Sequence, residues 1–279
     1  MRPISIPSYI QKSWNINFSS AETFQQIREA YLVLSKASEI PEVSVVIPAY
    51  NEEKNIIQTL YSLSHNVSSR SVEIIVVNNN SSDQTENLVR ATGIKCIPET
   101  KQGITAARNG GLAAARGKYI LNADADSIYP KEWIEEMIKP LMKDENIVSV
   151  YGRFSFIPIG STGRLTYFFY EYFADFMRSL NKYLKDEAVN VYGFNSGFRR
   201  MQGLQVNGFD HPAGTNEDGW LAVKLRDTIK GRLFCVKNTK ALVWTSDRRI
   251  QIDGGLWKAT FARLQRIFSK KQGAERADL

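Results

Sequence analysis

Two groups of side chains have the types and spacing to do chemistry. Asp124 and Asp126 stand two residues apart, directly after the run Tyr119-Ile120-Leu121-Asn122. Two carboxylates at the end of a buried strand are costly to place together unless a cation or strong donors compensate them. Their oxygens suit a hard ion, Mg²⁺ or Mn²⁺, held by one or two carboxylates and completed by substrate phosphates. Asp-x-Asp also occurs in ordinary loops, and its place at a strand end distinguishes this pair. The second group is Asn78-Asn79-Asn80-Ser81-Ser82-Asp83, short side chains that tolerate unusual backbone angles and that donate and accept hydrogen bonds. Ser and Asp before a helix are routine caps, which explains part of the cluster. Three consecutive asparagines exceed what a cap needs, and their paired donors and acceptors would suit the edge of a base such as uracil.

Both groups depend on a scaffold that gathers strand ends. Candidate strands at 43–47, 72–77, 94–97, 118–122 and 147–151 alternate with helical patterns at 52–63, 83–91, 104–115 and 131–141. That alternation predicts an α/β fold with a mostly parallel sheet and helices on both faces. Such sheets bind ligands beyond the carboxyl ends of their strands, where both groups fall. The first strand ends in Pro48-Ala49-Tyr50-Asn51-Glu52-Glu53 without a glycine-rich loop, and Gly110, Gly111 and Gly117 fall in and after a helix. The glycine spacing of a dinucleotide site is therefore missing. Upstream, Ser19 and Glu22 read as a capping box opening a helix to about Ala37, and residues 1–18 show little periodicity. The second half carries an aromatic stretch at 167–176, a glycine-spaced region at 193–219, a helix at 218–229 and two short strands around Phe234 and Val243. It reads as a second lobe of the same domain, shaped for a second substrate.

Composition bounds the function classes. The 279 residues hold 36 Lys and Arg against 29 Asp and Glu, a net charge of +7, with 43% apolar residues. This is the balance of a folded globular protein. The excess charge sits in the last 32 residues, without a recognition motif, so nucleic acid is not an expected partner. Cys96 and Cys235 lie far apart in apolar stretches, which argues against a disulfide framework or cysteine metal site and fits a reducing cytoplasm. No signal-type apolar region and no run of about 18 apolar residues predicts secretion or membrane spanning. Within Leu256 to Lys271, Trp257, Phe261, Leu264 and Phe268 share one helical face and Lys258, Arg263, Arg266 and Lys270 lie elsewhere. An interfacial helix on an anionic membrane and a helix docked on its own domain both have this composition.

Four ordered blocks resemble the family 2 glycosyltransferases, the inverting group with the GT-A fold. VSVVIPAYNEEKNI at 43–56 resembles the family's opening strand and loop, IIVVNNNSSDQT at 74–85 its second block, and GLAAARGKYILNADAD at 111–126 its third, ending in the metal-binding Asp-x-Asp. NGFD at 207–210 with NED at 216–218 is similar to its acidic motif, and the match spans about 43–230. The resemblance implies a Rossmann-like sheet with a smaller acceptor-side lobe. It divides the chain into an N-terminal extension with a helix (1–40), a GT-A domain (41–247, donor half to about 150) and a basic amphipathic tail (248–279).

Carried over by residue, the resemblance implies that Pro48, Ala49, Tyr50 and Glu52 line the nucleoside pocket, with Asn78 and Asn79 at the uracil. Asp124 would approach the ribose or donor sugar, Asp126 would hold Mn²⁺ or Mg²⁺ on the diphosphate with Asp124 beside it, and Arg108 would sit near the phosphates or Asp124. Asp218 would be the general base for the acceptor hydroxyl, with Glu217, Trp220 and Asn195 on the acceptor side. The implied reaction moves a sugar, with inversion, from a nucleoside diphosphate, UDP by expectation, to a saccharide or lipid-linked acceptor. Its implied location is the cytoplasm, with the inner membrane face open to the tail. Two departures stand out. Asn78 and Asn79 replace aspartates usual in the family, and this keeps open the alternative of an inactive GT-A domain that binds nucleotide or a partner. The Gln-x-x-Arg-Trp motif of processive members is missing, with Thr245-Ser246-Asp247-Arg248-Arg249 after Trp244 in its place, so a non-processive enzyme is expected.

Overall fold

The computed structural model describes residues 1–256 and 258. Two short helices, α1 (Ser8–Trp14) and α2 (Ala21–Ser35), precede an alternating run: β1 (Val43–Ala49), α3 (Ile56–Ser64), β2 (Val72–Asn78), α4 (Thr85–Ala91), β3 (Lys95–Pro98), α5 (Ile104–Ala114) and β4 (Tyr119–Asn122). Then come β5 (Ser127–Ile128), α6 (Trp133–Lys143), β6 (Ile147–Gly152), β7 (Phe154–Ile157) and the long α7 (Arg164–Leu184). The chain continues through β8 (Ser196–Arg199), α8 (Arg200–Gln205), α9 (Glu217–Ile229), β9 (Arg232–Val236), β10 (Val243–Ser246) and α10 (Arg248–Ile252).

Seven strands form one sheet in the order β3-β2-β1-β4-β8-β6-β9, and β5-β10-β7 form a smaller one. β1 pairs in parallel with β2 and β4, and every residue of β1 and β2 is buried, which is why both are mostly apolar; the exceptions inside them, Ser44 and Glu73, hydrogen-bond each other. β8 runs antiparallel between β4 and β6, so a strand from the second half of the chain completes the sheet begun by the first. One apolar core lies on the side of α2, α3 and α6, built on Ile47, Leu60, Ile74 and Trp133. The other packs α5 and α9 through Val46, Leu112, Leu221 and Leu225.

Several boundaries differ from those the sequence predicts, each for a local reason. α2 is capped by Ser20, whose hydroxyl accepts from Thr23 N at 3.1 Å, while Ser19 bonds Asn17; the helix stops at Ser35 because Lys36 and Ala37 turn left-handed at φ 54° and 48°. α3 starts at Ile56 instead of Glu52, since the backbone amides of Glu52 and Glu53 bond Thr85 and Asp83. α4 likewise starts after Asp83, which accepts from Thr85 N at 2.9 Å. α1 was not expected. It is held by Ile10 and Trp14, which pack on Ile128, Ile157 and Trp244 of the smaller sheet and on Leu242 just before β10. Residues 248–256, assigned by sequence to the tail, belong to the fold: Ile250 and Leu256 are buried against Phe156 and Tyr167. The rest of the amphipathic segment at 256–271, with Trp257, Phe261, Leu264 and Phe268, lies outside the described residues.

Candidate active site

β1, β2 and β4 end at one edge of the sheet, at Ala49, Asn78 and Asn122, and the loops that follow meet there. The first two loops lock together. Asn51 takes a left-handed conformation at φ 53°, its amide bonds Ser81 Oγ at 3.0 Å, and its side chain accepts from Ser82 N at 2.8 Å. Glu53 N donates to Asp83 and Gln84 N donates to Glu53, so each loop caps the other. Pro48 and Ala49 are buried in β1, while Tyr50 presents its ring to solvent at 51% exposure.

The asparagines serve the loops. Asn79 is buried; its amide donates to the carbonyls of Glu99 and Lys101 at 3.0 and 2.7 Å, and its oxygen accepts from Gly103 N at 2.8 Å. Asn78 donates to Glu86 at 2.8 Å and accepts from Ser81 N at 3.2 Å. Both donors of Asn79 are thereby committed to backbone, and the uracil contact expected of it has no free amide hydrogen to use. Asn195 is similarly internal. It accepts from Trp133 Nε1 at 2.8 Å and donates to the carbonyls of Arg153, between β6 and β7, and Ala241, so it ties α6 to those segments with its side-chain amide.

The carboxylates do converge. Glu52 and Asp126 share the guanidinium of Arg248, at 3.2 and 2.9 Å, across 196 and 122 residues of sequence. Burial, reinforced by the like charges of Asp124 and Glu52, pushes the Asp126 carboxyl up to about 6, against Arg248 and Arg249. Asp124 accepts from Arg108 at 2.8 Å, and its backbone amide donates to the hydroxyl of Tyr129, which in turn donates to Phe194 O. All-oxygen donors of this kind fit a hard divalent cation. Among the described residues no group of three or more such ligands is poised on its own, so Asp126 and Asp124 would share an ion with oxygens supplied by substrate.

Arg108 joins this pair to the second lobe. Its side chain is 2% exposed and its Nε lies 3.5 Å from Asp218 Oδ1, which is buried and has no hydrogen-bond partner among the described residues. Asp218 sits in the first turn of α9, where Asn216 caps by accepting from Gly219 N at 2.9 Å, so a helix-terminus carboxylate also faces Arg108. Burial raises its carboxyl to about 7; Arg108 opposes the shift, and Glu217 and Asp124 add to it. Gly193 makes this approach feasible, since a methyl group there would collide with both Arg108 Nη2 and Asp218 Oδ2. Glu217 and Trp220 are half-buried in the same turn. Two contributors, Arg248 and Tyr129, escape sequence reasoning. A basic pair directly after β10 was the available signal for Arg248.

The family model described as "Glycosyl transferase family 2" matches residues 44–202, more than half of the chain. The chain belongs to that family. Among curated relatives it is similar to a "Probable glycosyltransferase YdaM" of Bacillus subtilis, 37% identical over 134 residues, which are 44% of this chain and 32% of that protein. It thus spans about a third of that relative's length. Among solved structures it resembles the mannosyltransferase PcManGT from Pyrobaculum calidifontis, in complex with GDP-Man and Mn²⁺, with TM-score 0.58, 19% identity, and 97% and 77% of the two chains covered. Glucosyl-3-phosphoglycerate synthase from Mycobacterium tuberculosis, in complex with Mn²⁺, UDP and phosphoglyceric acid, aligns with TM-score 0.54, 20% identity and 91% and 84% coverage. At these identities the likeness is one of fold, and the GT-A architecture is the family's own. No described helix is long and apolar enough to cross a membrane.

Proposed function

We propose that this family 2 member transfers a sugar, with inversion, from a nucleoside-diphosphate donor to an acceptor hydroxyl activated by Asp218. The observation that carries the reading is the buried, unpartnered Oδ1 of Asp218, joined through Arg108 to the Asp124–Asp126 pair. A carboxyl raised to about 7 is poised to take a proton near neutral pH, which is what a general base requires. Mn²⁺ or Mg²⁺, when bound, would neutralise charge developing on the diphosphate as the glycosidic bond breaks. Asp126 and Asp124 would hold that ion. Arg108 fixes the spacing between the donor-side carboxylates and the base, and Glu52, Pro48, Ala49 and Tyr50 border the strand end where a nucleoside would lie.

The uridine expectation loses its amide support, because Asn79 is spent on the loop at 99–103 and Asn78 on Glu86 and Ser81. The two solved neighbours hold a guanosine and a uridine nucleotide respectively, so the base is a matter for measurement. A saccharide or lipid-linked acceptor is proposed with Trp220 and Glu217 at its edge. The absence of catalysis, with nucleotide binding alone, is the competing reading.

A thermal-shift panel with UDP, GDP, dTDP and CDP, each with and without Mn²⁺, tests the donor half on the wild type and Asp126→Ala. A ligand at about 100 times its Kd adds about 2.7 kcal/mol, a readable shift. One nucleotide should stabilise the wild type, with metal, and not Asp126→Ala. Stabilisation by none, or equal stabilisation of both proteins, overturns the proposed metal-nucleotide site.

A further inference from the structure

The strand-end site carries a cation of its own. Arg248 opens α10, and its Nη2 donates to Asp126 Oδ2 at 2.9 Å and to Glu52 Oε1 at 3.2 Å. Glu52 is braced to receive it. Its other oxygen accepts from Asn55 Nδ2 at 2.6 Å, and its backbone amide donates to Thr85 Oγ1 at 2.8 Å. The backbone beneath Arg248 is fixed as well. Asp247, wholly buried, accepts from Tyr167 Oη at 2.6 Å, from Ile159 N at 2.9 Å and from Gln251 Nε2 at 2.7 Å, and its amide donates to Ile157 O at 3.3 Å. This anchored backbone carries a side chain that is 40% exposed, against 19% for Asp126 and 18% for Glu52.

Three carboxylates gather at this edge, Glu52, Asp124 and Asp126, and among the described residues two guanidinium groups bond them. Arg108 is buried between Asp124 and Asp218 and cannot turn away without leaving both. Arg248 is the one that solvent reaches. A guanidinium keeps its proton at any working pH, so Arg248 leaves Asp126 only in exchange for another cation. A divalent ion binds a carboxylate oxygen at about 2.0–2.6 Å, which on Asp126 would set it close enough to Arg248 for the two to repel. A diphosphate reverses that balance, because its charge offsets the ion's and its oxygens accept guanidinium donors in pairs.

We propose that Arg248 is an exchangeable cation of this site: it neutralises Asp126 and Glu52, opposes a divalent ion that arrives alone, and yields Asp126 when ion and diphosphate arrive together. Metal and donor then bind as one cooperative unit. The inference rests on the reading of Asp126 as a metal ligand and adds to it the residue that couples the two ligands. Two binding measurements on the full chain test it, in wild type, Arg248→Gln, Arg248→Lys and Asp126→Ala. Mn²⁺ alone is titrated by the EPR signal of the free ion, and UDP and GDP are titrated calorimetrically with and without saturating Mn²⁺. Arg248→Gln should hold Mn²⁺ alone about tenfold more tightly than wild type, and the factor by which Mn²⁺ tightens nucleotide binding should fall about tenfold with it. Arg248→Lys keeps the charge and should stay near wild type in Mn²⁺ affinity. Asp247 anchors α10 without Arg248, so the glutamine variant should keep the wild-type Tm; if it does not, Arg248→Met, which retains the aliphatic stem without charge, gives the same readings. Mn²⁺ binding that requires Asp126 but is no tighter in Arg248→Gln overturns the role of Arg248 and leaves the metal site standing. Equal tightening in Arg248→Lys, or a coupling factor that does not change, overturns that role too. Mn²⁺ binding that Asp126→Ala retains, or that every protein lacks with nucleotide and without, overturns the metal site itself and the inference with it.

Discussion

Two carboxylates in this protein, Asp218 buried and Asp175 half-buried, sit beside arginines and are pushed in opposite directions. Asp175, on α7, is held down to about 2: burial works against its charge, but hydrogen bonds from Arg2 and Arg178 prevail. Asp218, at the strand-end site, is raised to about 7 by burial despite Arg108, with Glu217 and Asp124 contributing. The difference lies in how the cations are shared. Asp175 receives three guanidinium groups, whereas Asp218 faces one, at 3.5 Å and outside hydrogen-bond geometry, which Asp124 already engages at 2.8 Å. A fully satisfied carboxylate fixes structure and holds no proton at neutral pH. An under-satisfied one keeps a titration within reach of neutrality and an oxygen without a partner, as proton transfer requires.

Asp218→Asn breaks the comparison most severely. The amide keeps the shape and removes the base, so kcat should fall by about 10³-fold, the middle of the range for general-base removal. Stabilisation by the nucleotide that binds the wild type should persist, since Asp126 and Asp124 are untouched. Transfer at the wild-type rate in a radiolabelled-sugar assay would remove Asp218 from this role.

Asp175→Asn attacks the other side and should leave the chemistry alone. Removing one member of a buried ion network costs about 3–5 kcal/mol; Asp175 retains 21% side-chain exposure, so about 2 kcal/mol is expected near neutral pH. Because its folded value lies below the ordinary 3.8, the Asp175 carboxylate stabilises the fold above that pH and ceases to as pH falls through about 2. The gap between variant and wild type in urea unfolding should therefore be full at pH 7 and shrink between about pH 4 and pH 2. A gap that does not change with pH would show that lost packing, not lost charge, sets the cost.

How far the sequence reveals this contrast depends on the range of the interactions. β1, β2 and β4 are legible because strands buried on both faces are mostly apolar, and the carboxylates just past their ends stand out against that background. The roles of Asn79 and Asn195 are not legible. One amide can face a ligand or a backbone carbonyl with the same chemistry, and only the path of the loop at 99–103 or of β6 decides. Arg248 reaches Glu52 and Asp126 across more than a hundred residues, beyond any local pattern. α7 shows the same limit differently. Its periodicity reveals two faces, but the buried Arg2, 173 residues from Asp175, determines which of them turns inward.

The smallest effect gives the sharpest test of why Asp218 titrates where it does. Glu217 is its neighbour in the first turn of α9, and its negative charge raises the Asp218 carboxyl together with burial. If Asp218 is the base, kcat/KM rises with pH as the carboxyl ionises, with a limb near 7 that reports the free enzyme. Glu217→Gln removes the like charge and leaves the burial, so the limb should move to lower pH by less than about one unit, while Asp218→Asn erases it. A limb that stays in place in Glu217→Gln would assign the shift to burial alone. A limb that moves upward would show that the Glu217 side chain stabilises the Asp218 carboxylate instead of repelling it, and would overturn the assigned cause.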